Sequence, residues 1–306
     1  MQVATSYFGN RIVRHVETDV RRLRTQGFDI LVHTFSENDL RFYRETMKEI
    51  VKATHESGLE VWIDPWGVGG VFGGEAFSDA ALRHRHWLQV DASGNQLPAC
   101  CPSNPGFQAF IRHWIEAALE TGADAVFWDE PHFYSNNKNE PLGCHCKYCR
   151  ELAEQNQPAI GSFLREVCSR VKNAGSKNVV CVLPSSLQDQ RTDWLQSVTN
   201  LGSTPFWSLH DADPEQYVTD VGAQVKQAAS RAGIQTHLWI QGFRIPAGKE
   251  EEIQRSTVAA AKLGVDVIAI WGFDGCEAMS ALACERPQIA WASFLAAIRA
   301  LTSDEY

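Results

Sequence analysis

Eight apolar runs of strand length recur along the chain, alternating with longer segments of helical spacing. The runs cover residues 3–8, 28–35, 59–63, 123–128, 178–183, 205–209, 236–240 and 265–270. A hydrophobic period that switches in this way marks βα units laid into a parallel sheet. Eight units predict one α/β domain over residues 1–306, a single closed (β/α)8 TIM barrel. An open doubly wound sheet uses fewer strands and often begins with a Gly-rich phosphate loop, which is missing here. Local signals support the divisions. Ser36 is placed to cap a helix, Pro105 suits a first helical turn, and Gly122 closes that helix. Two connections are unusual. Residues 67–104 form a long, Gly-rich connection after the third strand, and residues 131–150 form a Cys-rich connection after the fourth. Long connections in compact domains usually carry function.

Hydrophobic residues make up 44% of the 306, enough to fill both layers of a barrel. The net charge is −9 and the basic residues are scattered, which argues against a nucleic-acid partner. No apolar run approaches the ~20 residues of a membrane span, so no membrane partner is expected. The N-terminus has no basic stretch followed by an apolar run and a cleavage site, and a cytoplasmic location is expected. No organic-cofactor motif is present. Nothing bears on self-association, and a homo-oligomer stays open.

In such barrels chemistry sits at the C-terminal ends of the strands. Those ends carry Tyr7, His33, Asp64, Trp66, Asp129, Glu130, His210, Asp211, Gln241, Trp271 and Asp274. Carboxylates, His and Gln can satisfy sugar hydroxyls, and aromatic faces suit a sugar's C–H surface. Tryptophans 62, 66, 128, 207, 239 and 271 all lie near strand ends, and Trp66 and Trp271, past their strands, are the better pocket candidates. A small carbohydrate is therefore the expected partner, held by Tyr7, His33, Asp64, Trp66, His210, Gln241, Trp271 and Asp274.

Asp129 and Glu130 give the sharpest signal, because two adjacent acids after an apolar strand are costly to bury unless their protonation states differ. Glycoside cleavage needs such a pair, one neutral to protonate the leaving oxygen and one charged to support the sugar cation. Glu130 and Asp129 are the catalytic candidates.

The nine cysteines are unevenly used. Cys144, Cys146 and Cys149 have zinc-like spacing, and a tetrahedral site wants a fourth ligand. His145 could serve. Cys101 is better placed, because it ends the long third connection and would staple it to the fourth. The expected cofactor is a structural zinc that shapes the pocket without doing chemistry.

These residues resemble the barrel domain of family 42 β-galactosidases. The resemblance rests on Cys101-Pro102-Ser103-Asn104-Pro105 and on Cys144-His145-Cys146-Lys147-Tyr148-Cys149. It implies a zinc held by Cys101, Cys144, Cys146 and Cys149, and an acid/base role for Glu130. Two positions depart from that family. Asp129 replaces an Asn, and Gln241-Gly242-Phe243 stands where the nucleophilic Glu would be, so β-galactosidase activity does not carry over. The Asp129-Glu130 pair also resembles the substrate-assisted hexosaminidases, which implies Glu130 as acid and Asp129 as the group orienting a 2-acetamido nucleophile. A third arrangement makes Asp129 the nucleophile and Asp211 or Asp274 the acid. Glycoside hydrolase is the expected function. Its rivals are a non-catalytic carbohydrate-binding barrel and a metal-dependent sugar isomerase or lyase with a metal on His33, Asp64, Glu130 or His210.

Overall fold

Alternate residues of a strand face opposite ways, so a strand buried on both sides needs two apolar environments. In the computed structural model of the chain, a barrel supplies both. The structure describes residues 1–134, 143–155, 159–188 and 193–302. Its strands are β1 (Gln2–Tyr7), β2 (Ile30–Thr34), β3 (Glu60–Asp64), β4 (Ala125–Asp129), β5 (Lys177–Val182), β6 (Asn200–Ser203), β7 (Gln235–Gln241) and β8 (Val267–Trp271). All pair in parallel with their sequence neighbours, and β8 returns to β1 to close the barrel. Ala4, Val32, Trp62, Phe127, Trp239 and Ala269 fill the interior. Val3, Leu31, Ile63, Val126, Val180 and Ile268 face the surrounding helices.

Register carries the site. Thr34 pairs with Asp64, Asp129 with Cys181, and Trp271 with Gln241, which brings these strand ends to one rim. Helix entries follow local chemistry. Ser36 caps Glu37–Phe42 in a reciprocal box with Asp39, and Arg11 holds the Asp39 carboxylate at 2.7 Å. Asn104 caps Pro105–Glu120, with Pro105 in the first turn.

The sixth strand corrects the sequence reading. It is Asn200–Ser203, whereas part of the run 205–209 is a short turn at Trp207–Leu209. The cause is the inward face of β6. Asn200 bonds His237 across the interior, Oδ1 to Nδ1 at 2.7 Å. A side chain on Gly202 would start 2.2 Å from the His237 ring. An Asn and a Gly therefore stand on the inward face of the strand, which removes the apolar run that would have marked it.

The third connection has structure of its own: a helix at Asp79–Arg83 and an antiparallel pair, Leu88–Val90 with Gln96–Cys100. Buried Glu37 anchors it, accepting from Gly69 N–H (2.8 Å), Ser78 Oγ (2.7 Å) and Ala80 N–H (2.6 Å). Residues 135–142 of the fourth connection lie outside the described residues. Among the described residues no helix is long and apolar enough to cross a membrane.

Candidate active site

Asp129 shares the inward face of β4 with Ala125 and Phe127. Glu130 would point the opposite way if the strand continued. Instead its backbone turns left-handed, with φ 41°, and both acids line one cavity. An L side chain adopts that conformation at a cost of ~1–2 kcal/mol, and such residues cluster at functional sites. The Glu130 N–H still donates to Cys181 O at 2.9 Å. Thr204, just past β6, donates its hydroxyl to Glu130 Oε1. His132 Nδ1 lies 2.6 Å from the Glu130 carbonyl, which can only accept, so Nδ1 carries the proton.

The third connection folds back over these acids. Gly73 N–H donates to Asp129 O at 2.9 Å, and a Cβ on Gly73 would stand 2.4 Å from Asp129 Oδ2. Only glycine allows that approach, and it delivers Glu75 beside Asp129 and Glu130. Two cavities meet there. The inner one encloses about 200 Å³ between Asp129, Thr204, Trp239, Trp271, Phe243 and Arg244. The outer one is an open cleft of about 630 Å³ bounded by the third connection, His132 and Tyr134. Gly74, Glu75 and Glu130 line both, so Glu130 stands at their junction.

Burial and mutual repulsion push the carboxyls upward together. Burial raises Asp64 far above the usual carboxylate range, and Asp129 adds to this. Burial likewise raises Asp129, then Glu130 and Glu75 add to it. Burial raises Glu130 as well, while the Thr204 hydroxyl and His132 pull it back. Glu75 is raised by burial, with Arg244 opposing. This cluster therefore holds fewer charges than carboxyl groups. Neither Asp64 oxygen has a hydrogen-bond partner, which makes Asp64 the member costliest to ionise.

The Asp64→Asn variant tests this. A folded pKa above the unfolded one means wild-type stability is lost as pH rises from about 4 upward, a loss Asn does not suffer. Asp64→Asn is expected to melt several degrees above wild type near pH 8, with the gain vanishing toward pH 4. Thermal melts across that range check it, and an offset independent of pH would contradict it.

The structure brings together some of the residues expected at the site. Asp129, Glu130 and Trp271 line the inner cavity. Asp64 sits behind Asp129 and is fully buried. Trp66 stacks on Phe8 at 5.6 Å, and a Cβ on Gly74 would overlap its ring, so the third connection covers it. Gln241 is buried and committed, accepting from Ser208 N–H and donating to Ser208 Oγ and Phe243 O.

Four others turn away. The Tyr7 hydroxyl donates to Asp19 on the first helix at 2.7 Å. His33 Nε2 meets Thr54 Oγ1 on a helix at 2.9 Å, and burial lowers its pKa to about 3. Asp274 pairs with Arg22 at 2.5 Å. His210 is exposed beside Tyr217. Strand alternation sends Tyr7 and His33 to the helix layer, and the shift of β6 leaves His210 and Asp211 beyond a turn. Asp211 and Asp274 therefore do not reach the carboxyl pair as acids, and the isomerase metal set is not assembled. Glu75, Thr204 and Arg244 were not among the expected site residues, and Trp239 stood only among the six tryptophans near strand ends. Trp239 shares the inward face with Gln241, which was a readable signal, whereas Glu75 and Arg244 arrive on irregular backbone.

Cys101, Cys144, Cys146 and Cys149 converge, with all four Sγ atoms within 4.8 Å of one another. Cys101 Sγ lies 3.5 Å from Cys146 Sγ and 3.4 Å from Cys149 Sγ. These separations are too long for disulfides and near the ~3.8 Å edge of a tetrahedron with 2.3 Å metal–sulfur bonds. Hydrogen bonds from Cys101 first, then Cys144 and Cys149, hold Cys146 well below the usual thiol range. Cys144 is lowered as well, whereas Cys101 and Cys149 are raised, so the protons lie on two of the four sulfurs. Four sulfurs this close can hold a metal ion, and Cys101 rather than His145 completes the set.

No protein-family model matches the sequence, and no curated protein matches it. Solved structures do match. One is a GH5_18 protein from Streptomyces cattleya, in complex with GlcNAc, at TM-score 0.65 and 11% identity over 99% of this chain and 80% of that one. An endo-1,4-beta-mannanase from Rhizomucor miehei matches at TM-score 0.64 and 10% identity over 99% and 95%. A D-allulose 3-epimerase from Methylomonas sp. matches at TM-score 0.55 and 9% identity over 99% and 97%. At these identities the likeness shows the barrel fold. Glycoside hydrolases are prominent among the neighbours.

Proposed function

We propose that the chain is a glycoside hydrolase, with Glu130 as general acid/base and Asp129 as the second carboxylate. The observation that carries this is the position of Glu130, which lines both a small, aromatic-lined inner cavity and a larger outer cleft. A sugar ring in the inner cavity would meet Trp239 and Trp271, and its leaving group would lie in the cleft. The scissile oxygen then falls beside Glu130. Repulsion within the cluster leaves the pair sharing a proton. In the resting site burial and Glu130 raise Asp129, and Thr204 favours ionised Glu130, so cleavage draws on the state in which the proton has moved to Glu130 and Asp129 is charged. Asp129 then faces the sugar as nucleophile or as the orienting group for a 2-acetamido substituent. Hydrolysis of a panel of nitrophenyl glycosides, 2-acetamido sugars included, tests the proposal. Nitrophenol release from one of them is expected. Binding without release would favour the carbohydrate-binding reading, to which the fully committed Gln241 at strand seven lends support.

The pH profile gives a second test. A general acid must be protonated, so kcat/KM falls as pH rises through the Glu130 pKa. The Thr204 hydroxyl stabilises the ionised form and holds that pKa down. Thr204→Val is expected to move the alkaline limb to higher pH. A limb that stays in place would show that another group sets it.

We also propose a structural zinc on Cys101, Cys144, Cys146 and Cys149. The all-sulfur donor set and the spacing support it. Filled by four thiolates, such a site has no open position for substrate.

A further inference from the structure

We propose that the open cleft beside Glu130 takes an apolar leaving group, aryl or alkyl, rather than a second sugar. This rests on the glycosidase reading and names its substrate class. Phe72, Phe77, Leu82, Leu97 and Pro98 form much of the wall. Phe77 and Leu82 are 77% and 62% exposed, two large apolar side chains standing open to solvent on the insertion that carries this wall. Several polar groups of the wall are already committed. Arg85 Nη2 donates to Gln96 Oε1 at 3.1 Å, and Gln96 Nε2 donates back to Arg85 O at 2.8 Å. Ser78 Oγ donates to buried Glu37 and accepts from Ala81 N–H. His132 spends Nδ1 on the Glu130 carbonyl. A second sugar needs free donors and acceptors around its hydroxyls, and this wall offers mostly hydrocarbon. At about 630 Å³ the cleft lies within the usual range of small-molecule cavities, roughly 300–1,000 Å³. It shares Gly74, Glu75 and Glu130 with the inner cavity, so an occupant joined to the sugar would meet it at the scissile oxygen beside Glu130.

The test has two arms. Binding of the neutral fluorophore phenylnaphthylamine reads the cleft without turnover. Saturable binding is expected, weakened at least ~10-fold by Leu82→Asp and unaffected by Ile289→Asp, an exposed apolar site on the last helix. The second arm compares methyl and octyl glycosides of whichever sugar the wild type cleaves. The octyl compound is expected to show kcat/KM on the order of 30-fold higher, with most of that gain lost in Leu82→Asp. Equal rates for methyl and octyl, or a disaccharide preferred over both, would overturn the proposal, as would absence of saturable probe binding. If no sugar is cleaved at all, the glycosidase reading falls and the probe arm alone decides whether the cleft takes apolar ligands.

Discussion

Replacing Glu130 by Gln is expected to lower kcat for an alkyl glycoside by on the order of 10³-fold while leaving the barrel folded. The amide keeps the shape of the side chain and can still accept from Thr204, but it has no proton to give. It also relieves repulsion with Asp129 and Glu75, so its melting temperature should match or exceed that of wild type. Turnover measured beside a thermal melt separates lost chemistry from lost structure. Unchanged turnover in the folded variant would remove Glu130 from the catalytic role.

The second large effect concerns the cysteines. The purified chain is expected to contain one zinc, and Cys146→Ser or a strong chelator should remove it. Structural zinc contributes ~10–16 kcal/mol in small zinc domains. In this barrel the core folds largely from its own packing, so a loss of roughly 3–5 kcal/mol, or about 10 °C in melting temperature, is expected. The effect should extend to the cleft. Val90 N–H donates to Cys144 Sγ at 3.4 Å, and His145 N–H to Val90 O at 2.7 Å, so the site is tied to the hairpin of the third connection. Gln89 in turn donates to Cys100 O and accepts from Tyr134 N–H, fixing a residue of the cleft wall. Zinc loss should therefore raise KM more than it lowers kcat. A chain without zinc, or a variant with unchanged melting temperature and KM, would show that the cysteines are free thiols.

The barrel was legible because most strands advertise themselves by two apolar faces. The sixth did not, since Asn200 and Gly202 make room for a ring arriving from β7. That one displacement hid Thr204 and moved His210 and Asp211 off the rim. The carboxyl pair and the cysteine set were legible because their residue types are rare together and closely spaced. The sequence did not reveal that Tyr7 and His33 point outward, since a shift of one residue reverses every facing along a strand. Glu75 and Arg244 were hidden for another reason. They reach the site on irregular backbone, where no period reports which side chains converge.

The most direct test of Glu130 as the proton donor varies the leaving group on one sugar, in wild type and in Glu130→Gln. A dinitrophenolate departs as a stable anion and needs little help, whereas an alkoxide needs a full proton. The variant is expected to cleave the dinitrophenyl glycoside within about 10-fold of wild type and the alkyl glycoside on the order of 10³-fold more slowly. An equal loss with both leaving groups would contradict proton donation by Glu130.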